Sequence, residues 1–261
     1  MEDDVQLIGG GRSPVSRRGD VVLPKAGPWS STVVALLRHL EHVGFANAPR
    51  VVGSGFDDQG RETLGFIEGD FVHPCPWPDE ALPIIGTMLR RLHEATASFV
   101  VPMEAVWQPW FGRSLGRSPT VIGHCDTGPW NIVAVGGLPA ALIDWEAAGP
   151  VDPTFELAQA CSLNAQLHDD DIAEKVGLAS PEHRAKHVRL LLDGYGMASA
   201  ERAGFVDKMM EFAIHDAADQ AIQAGVAMDS RDDDLLWAIA WRTRSGPWML
   251  RNRATLERAL D

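Results

Sequence analysis

Val121-Ile-Gly-His-Cys-Asp-Thr-Gly-Pro-Trp-Asn-Ile-Val133, with Ala141-Leu-Ile-Asp-Trp-Glu146 downstream, is the stretch around which the chain is organised. An apolar pair leads into His124 and Asp126, Asn131 follows five residues after Asp126, and an apolar run delivers Asp144 thirteen residues further on. Such a set suits phosphoryl transfer. One carboxylate orients an attacking hydroxyl and takes its proton, while an amide oxygen and a second carboxylate hold a divalent cation on the nucleotide phosphates. The plainer alternative is a hairpin whose Asp and Asn make turn hydrogen bonds. Asp144 resists that reading, because a strand-end carboxylate in apolar surroundings needs a partner.

His, one residue, Asp, four residues, Asn and then a metal-binding Asp is the order of the kinase catalytic loop. His124, Asp126, Asn131 and Asp144 fit it. This stretch resembles the catalytic segment of the aminoglycoside phosphotransferase-like family, relatives of the protein kinases. The family's usual loop has Gly where this chain has Cys125, and its metal aspartate sits in a context like Ile143-Asp144-Trp145. Gly149-Pro-Val-Asp-Pro153 and Glu156-Leu-Ala158 are also similar to the family, and a weaker likeness runs from about residue 5 to the C-terminus. The resemblance implies an α+β, protein-kinase-like fold of two lobes. Residues 1–72 would form a short β-rich nucleotide-binding lobe, and residues 73–261 a mainly helical lobe with the catalytic loop and substrate site. It also implies Mg²⁺ and ATP or GTP as cofactors.

Composition narrows the partners. The 261 residues carry 36 acidic against 23 basic side chains, a formal charge of −13. That argues against a nucleic-acid partner, which calls for a basic stripe. It suits a cationic small substrate, and equally a protein kept soluble by its charge. Three cysteines, Cys75, Cys125 and Cys161, with no Cys-x-x-Cys pair, offer neither a disulfide framework nor a zinc site. Cys125 beside the proposed base reads as a small filler rather than a nucleophile. With no signal-like opening and no apolar run near membrane length, the expectation is a cytoplasmic protein without a membrane partner. The residues do not address oligomeric state.

Short strands are expected at residues 5–8, 15–18 and 21–23, around Gly9-Gly-Gly11. A glycine-rich hairpin lets backbone N–H groups approach phosphates, which makes Gly10 and Gly11 candidate nucleotide contacts; an ordinary turn is the alternative. The resemblance makes Lys25 the candidate phosphate lysine, but it lies past the strand, between Pro24 and Ala26. The helix expected at Ser31–Val43, capped by Ser30 or Ser31, offers Glu41 only near its end. Either the lysine–glutamate pair is missing or Arg17 or Arg18 replaces the lysine. A strand pair at residues 49–52 and 62–67 leads into Phe66-Ile-Glu-Gly69. By resemblance Phe66, Ile67 and Glu68 form the inter-lobe hinge that meets the nucleotide base; a strand end and turn is the alternative.

Asp79 is expected to cap a helix running to about Ala97, with His93 as a structural hydrogen-bonding residue. Residues 99–118 read as an aromatic loop that either supports the catalytic loop or forms a lid. From Glu156 onward the pattern is helical, with segments at 156–167, 183–195, 200–224, from 232, and 248–260. In the resembling family, acidic groups on C-terminal helices bind substrate ammonium groups. Glu211, Asp216 and Asp219 are the candidates here, against the ordinary reading of a solvated helix face. These readings give a small-molecule kinase acting on a hydroxyl, with Asp126 as base, His124 supporting the loop, and Asn131 and Asp144 on the metal. The role is either inactivation of an antibiotic or phosphorylation of a metabolite such as choline or a sugar, between which the fold does not decide. Two further classes are a weak or inactive kinase-like binding or immunity protein, and a metal-dependent hydrolase using His124, Asp126 and Asp144.

Overall fold

A computed structural model describes residues 4–7 and 15–261. Gly10 and Gly11 therefore lie outside the described residues. Strands β1 (Val5–Gln6), β2 (Ser16–Arg18), β3 (Val21–Leu23), β4 (Val51–Phe56) and β5 (Glu62–Gly65) form one antiparallel sheet in the order β1-β2-β3-β5-β4. Helix α1 (Ser30–His42) connects β3 to β4 and buries Val33, Leu36, Leu37 and Leu40. Of the apolar residues at helical spacing, Val34, Leu37, Leu40 and Val43, the first three are buried, while Val43 lies just past the helix and is exposed. The expected serine cap is also absent. Ser30 Oγ accepts from the Gly27 N–H at 2.9 Å and donates to the buried Glu62 carboxylate on β5.

Two hairpin-like pairs hold the central motif. Strand β6 (Val121–Gly123) pairs with β9 (Gly149–Val151), and β7 (Ile132–Val135) with β8 (Leu138–Leu142), both antiparallel. The turn between β6 and β7 carries Asp126 and Asn131, and the segment between β8 and β9 carries Asp144. The chain leaving β5 joins this region at Asp70, whose backbone exchanges hydrogen bonds of 2.9 and 2.8 Å with Ala134. Asn47 reaches β8 twice, through Nδ2 to Ala140 O at 2.6 Å and through its carbonyl to Leu142 N at 2.9 Å.

The rest is helical: α2 (Ala81–Thr96), α3 (Pro153–Asn164), α4 (Asp170–Val176), α5 (Pro181–Tyr195), α6 (Phe205–Gln223), α7 (Asp233–Arg251) and α8 (Arg253–Leu260). Helix α3 begins three residues before Glu156, because Asp152 caps it and Pro153 suits its first turn. Helix α7 runs through Pro247 to Arg251, so the break expected near Trp248 falls at Asn252 instead. Asp79 does not cap α2; its carboxylate turns to α5. One apolar core links α1 (Leu36, Leu37), the strand pairs (Ile132, Leu142) and α2, α3 and α5 (Leu89, Leu157, Leu191). Among the described residues no helix is long and apolar enough to cross a membrane.

Helices α2 and α5 touch backbone to backbone at Gly86. A Cβ there would lie 2.0 Å from Leu191 O and 2.6 Å from Tyr195 N. Neither partner is a flexible side-chain end, so the helices themselves must part. Gly86→Ala is expected to destabilise the chain by about 2–3 kcal/mol despite alanine's better helix propensity. A denaturant midpoint equal to or above that of the parent would refute this packing.

Candidate active site

The turn between β6 and β7 rests on α3. Glu156 is fully buried, and its Oε1 accepts the Cys125 N–H at 2.8 Å. Its Oε2 lies 2.5 Å from His93 Nε2, while His93 Nδ1 is 2.8 Å from the Tyr195 hydroxyl. With Tyr195 donating to Nδ1, His93 donates from Nε2 to the carboxylate, a structural role as the sequence suggested. Burial works to raise the Glu156 pKa, but the hydrogen bonds from His93 and Cys125 outweigh it and hold the group below its ordinary value. One turn further along α3, Gln159 Oε1 accepts the Thr127 N–H at 3.2 Å, and its Nε2 donates to Cys125 O at 3.0 Å. Asn164 Nδ2 donates to Thr127 O at 2.8 Å. Three side chains of one helix thus bond the backbone on either side of Asp126.

Those bonds hold Cys125 at φ 64°, a left-handed conformation costly for a side chain with a Cβ and usual for glycine. Its thiol is fully buried, and burial pushes its pKa well above the ordinary thiol value. Cys125 is therefore no thiolate nucleophile. Gly123 is required for a different reason: a Cβ there would lie 2.1 Å from Glu156 Oε2.

His124 is fully buried against Trp145, with ring centroids 4.7 Å apart. Its Nε2 donates to Ile143 O at 2.9 Å, and its Nδ1 accepts the Asp126 N–H at 3.3 Å. Burial lowers its pKa to about 4, so the ring is neutral and links the two acidic segments instead of carrying a proton. Asn131 Nδ2 donates to Asp126 Oδ2 at 2.9 Å and to Asp126 O at 3.0 Å, which leaves the amide oxygen as its acceptor end. The Asn131 carbonyl accepts the Ile143 N–H at 2.9 Å. Asp126 and Asn131 are thus in contact, and Asp144 follows one residue after the Asn131 bond. Asp144 is exposed and takes φ 61°, a second left-handed residue in this centre.

Arg113, in the helical turn Phe111–Ser114, was not singled out from the sequence. Its guanidinium donates to Ala147 O at 2.7 Å, Ala148 O at 3.2 Å and Pro150 O at 3.3 Å, and contacts Cys125 Sγ at 3.7 Å. The aromatic loop therefore braces the segment after Asp144, and Phe111 packs on Phe212 and His215 of α6. Glu62 was also missed. Burial raises its pKa, Ser30 opposes that, and the charges of Glu146 and Asp144 raise it further. A lone glutamate in a short strand carries no local signal of such a position.

The N-terminal expectations fare differently. Lys25 is exposed, and Glu41 faces Arg50 at 3.9 Å, so no lysine–glutamate pair forms between them. Arg18 bonds Asp4 at 2.7 Å. Arg17 stacks 3.5 Å from the Phe66 ring centroid and donates to Gly19 O. Among the described residues neither arginine bonds a glutamate of α1. On α6, Asp216 is an ion-pair partner of Arg242 at 2.8 Å, so its charge is matched within the protein. Asp219 accepts from Gln223 at 2.6 Å, and Glu211 is exposed.

Residues 101–187, which contain this centre, match the model of the phosphotransferase enzyme family APH. The chain belongs to that family and has its protein-kinase-like fold. It is 65% identical over 260 residues to the trifolitoxin immunity protein of Rhizobium leguminosarum bv. trifolii, covering 100% of each chain. Its fold is similar to that of the amicoumacin kinase hAmiN, solved with AMP-PNP, Ca²⁺ and Ami, at a TM-score of 0.68 and 14% identity, over 94% of this chain and 88% of that one. A choline/ethanolamine kinase family protein from Mesorhizobium loti aligns at a TM-score of 0.60 and 18% identity, over 99% of this chain and 91% of that one.

Two outcomes follow. Glu156→Ala strands the buried Cys125 N–H and His93, at an expected cost of about 3–5 kcal/mol, and Gly123→Ala is expected to be comparably damaging. Parent-like melting of both variants would remove Glu156 from this role. The lowered pKa of His124 also predicts acid sensitivity. The unfolded ring binds a proton below about 6.5 and the folded one only below about 4. Stability contributed by the neutral ring is therefore complete above 6.5, is lost as pH falls from there to about 4, and amounts to roughly 3 kcal/mol. Denaturation curves between those pH values check it: His124→Asn should show a flatter dependence than the parent.

Proposed function

We propose that this protein is a small-molecule kinase that transfers the γ-phosphate of ATP or GTP to a substrate hydroxyl, and that its biological role is immunity to a toxin or antibiotic. The carrying observation is the Asp126–Asn131 contact, tied by the Asn131–Ile143 backbone bond to the turn that carries Asp144. In this reading residues 1–72 form the nucleotide-binding lobe and residues 73–261 the catalytic and substrate lobe. Phe66, Ile67 and Glu68 meet the base. The reaction is cytoplasmic.

Asp126 orients the acceptor hydroxyl and takes its proton. The acceptor oxygen forms a bond to the γ-phosphorus as the bond to the bridging oxygen breaks, leaving the nucleoside diphosphate. Asn131 and Asp144 offer an amide oxygen and a carboxylate, the hard donors that suit Mg²⁺. Glu62 and Glu146 add negative charge near Asp144, which fits a site completed by a cation. Mg²⁺, when bound, supplies charge neutralisation at the phosphates. His124 keeps both acidic segments in register and passes no proton. Glu211 and Asp219 remain candidates for an ammonium group on the substrate.

Immunity is supported by the name of the 65%-identical relative, which concerns trifolitoxin. Trifolitoxin is therefore the first acceptor to test, alongside hydroxylated antibiotics and amino alcohols. A nucleotide-consumption screen with mass analysis should show an acceptor gaining one phosphoryl group. Asp126→Ala should lower turnover by about 10²–10⁴-fold while leaving the fold intact. Undiminished phosphorylation by that variant would remove Asp126 from the mechanism.

One observation favours a second reading, a non-catalytic immunity protein that binds its target. Lys25 and Glu41 do not pair, and the acidic Glu62 of the sheet feels the charge of Asp144. Titration calorimetry with Mg²⁺ and nucleotide separates the two. Binding that disappears in Asp144→Asn supports the kinase, and no heat at millimolar nucleotide supports the binding protein.

A further inference from the structure

Asp79 precedes α2 where a capping residue is expected, yet makes no cap. Its Oδ1 instead lies 2.7 Å from His183 Nε2 and 2.9 Å from His187 Nε2. The two histidines are four residues apart on α5, which puts them on one face of the helix. Their rings are 4.7 Å apart at 68°, and one potential ligand atom from each of the three residues lies within 4.8 Å of the other two. Two imidazole nitrogens and a carboxylate oxygen thus converge on one point, far along the chain from the catalytic turn.

We infer that Asp79, His183 and His187 form a binding site for a borderline divalent transition ion, Zn²⁺ being the principal candidate. Two imidazoles and one carboxylate are a zinc donor set, with bonds near 2.0–2.2 Å. Around a tetrahedral ion such bonds place neighbouring donors roughly 3.3 Å apart. The present 2.7 and 2.9 Å separations therefore need to open by about half an ångström, which side-chain rotation supplies.

The ion replaces the two hydrogen bonds to Oδ1, and each ring moves its proton from Nε2 to Nδ1. No net proton is released. Lys186 Nζ binds the other oxygen, Oδ2, so it does not occupy the donor the ion needs. It orients the carboxylate for single-oxygen coordination, as groups behind a metal ligand do. His187 is 5% exposed and anchors the site, whereas His183 at 42% and Asp79 at 37% open it to solvent. An ion can enter, and a water completes its shell. The site would pin the start of α2 to the first turns of α5.

The test uses the untagged full chain titrated with ZnCl₂ by calorimetry and with Co²⁺ by visible absorption. The expected result is one Zn²⁺ bound at micromolar affinity, a tetrahedral Co²⁺ spectrum and a raised melting temperature. His183→Ala, at an exposed position, should keep the fold by circular dichroism and lose affinity at least about tenfold. Asp144→Asn should bind Zn²⁺ as the parent does, which separates this site from the catalytic cleft. Absence of micromolar binding, affinity unchanged in His183→Ala, or loss of binding in Asp144→Asn would overturn the inference.

Discussion

A buried carboxylate beneath a strained turn is the constraint on which this centre depends. Glu156 lies in the core, where an unpaired charge would be ruinous, and it is tolerated because His93 and the Cys125 N–H satisfy both oxygens. The same bonds hold Cys125 in a conformation that a side chain with a Cβ avoids. Strain in the turn is therefore balanced by interactions from α3, and the arrangement fixes the backbone around the half-buried Asp126 at the start of the segment that ends in Asn131. Tyr195 and His93 connect this support to α5 and α2, so a polar line runs from the helical bundle to the reacting edge.

The second acidic segment is held from two sides. His124, kept neutral by burial, donates to Ile143 O just before Asp144. Arg113 binds the carbonyls of residues 147, 148 and 150 just after it. The left-handed backbone at Asp144 lies between these clamps. The exposed carboxylate at such a position is directed by backbone geometry, with little freedom left to the chain around it.

The N-terminal sheet has a different electrostatic character from that implied by the kinase resemblance. Lysine and glutamate do not pair across β3 and α1. Instead Ser30 of α1 bonds Glu62 of β5, and that carboxylate feels the charges of Asp144 and Glu146. Glu62 thus sits within the fields of two other acidic groups. Such a grouping of like charges attracts cations. The structures of similar fold include kinases of unlike named substrates, so the fold by itself names no acceptor.

The order His124, Asp126, Asn131 and Asp144 was legible in the chain, because the four groups lie on two neighbouring turns whose spacing is local. The same holds for the strands around them and for the amphipathic helices α1, α2 and α5, whose periodicity is local. What the tertiary structure alone decided was partnership. Glu156 and His93 are 63 residues apart and Ser30 and Glu62 are 32 apart. Asp79 reads as a helix cap in one dimension and becomes a partner of α5 only when two helices pack. Asp216 reads as an open substrate acid until α7 brings Arg242 to it. A local pattern reports which face of an element is apolar and which groups a turn needs. It does not report which distant side chain will satisfy a buried charge, because that depends on packing between elements that the pattern does not encode.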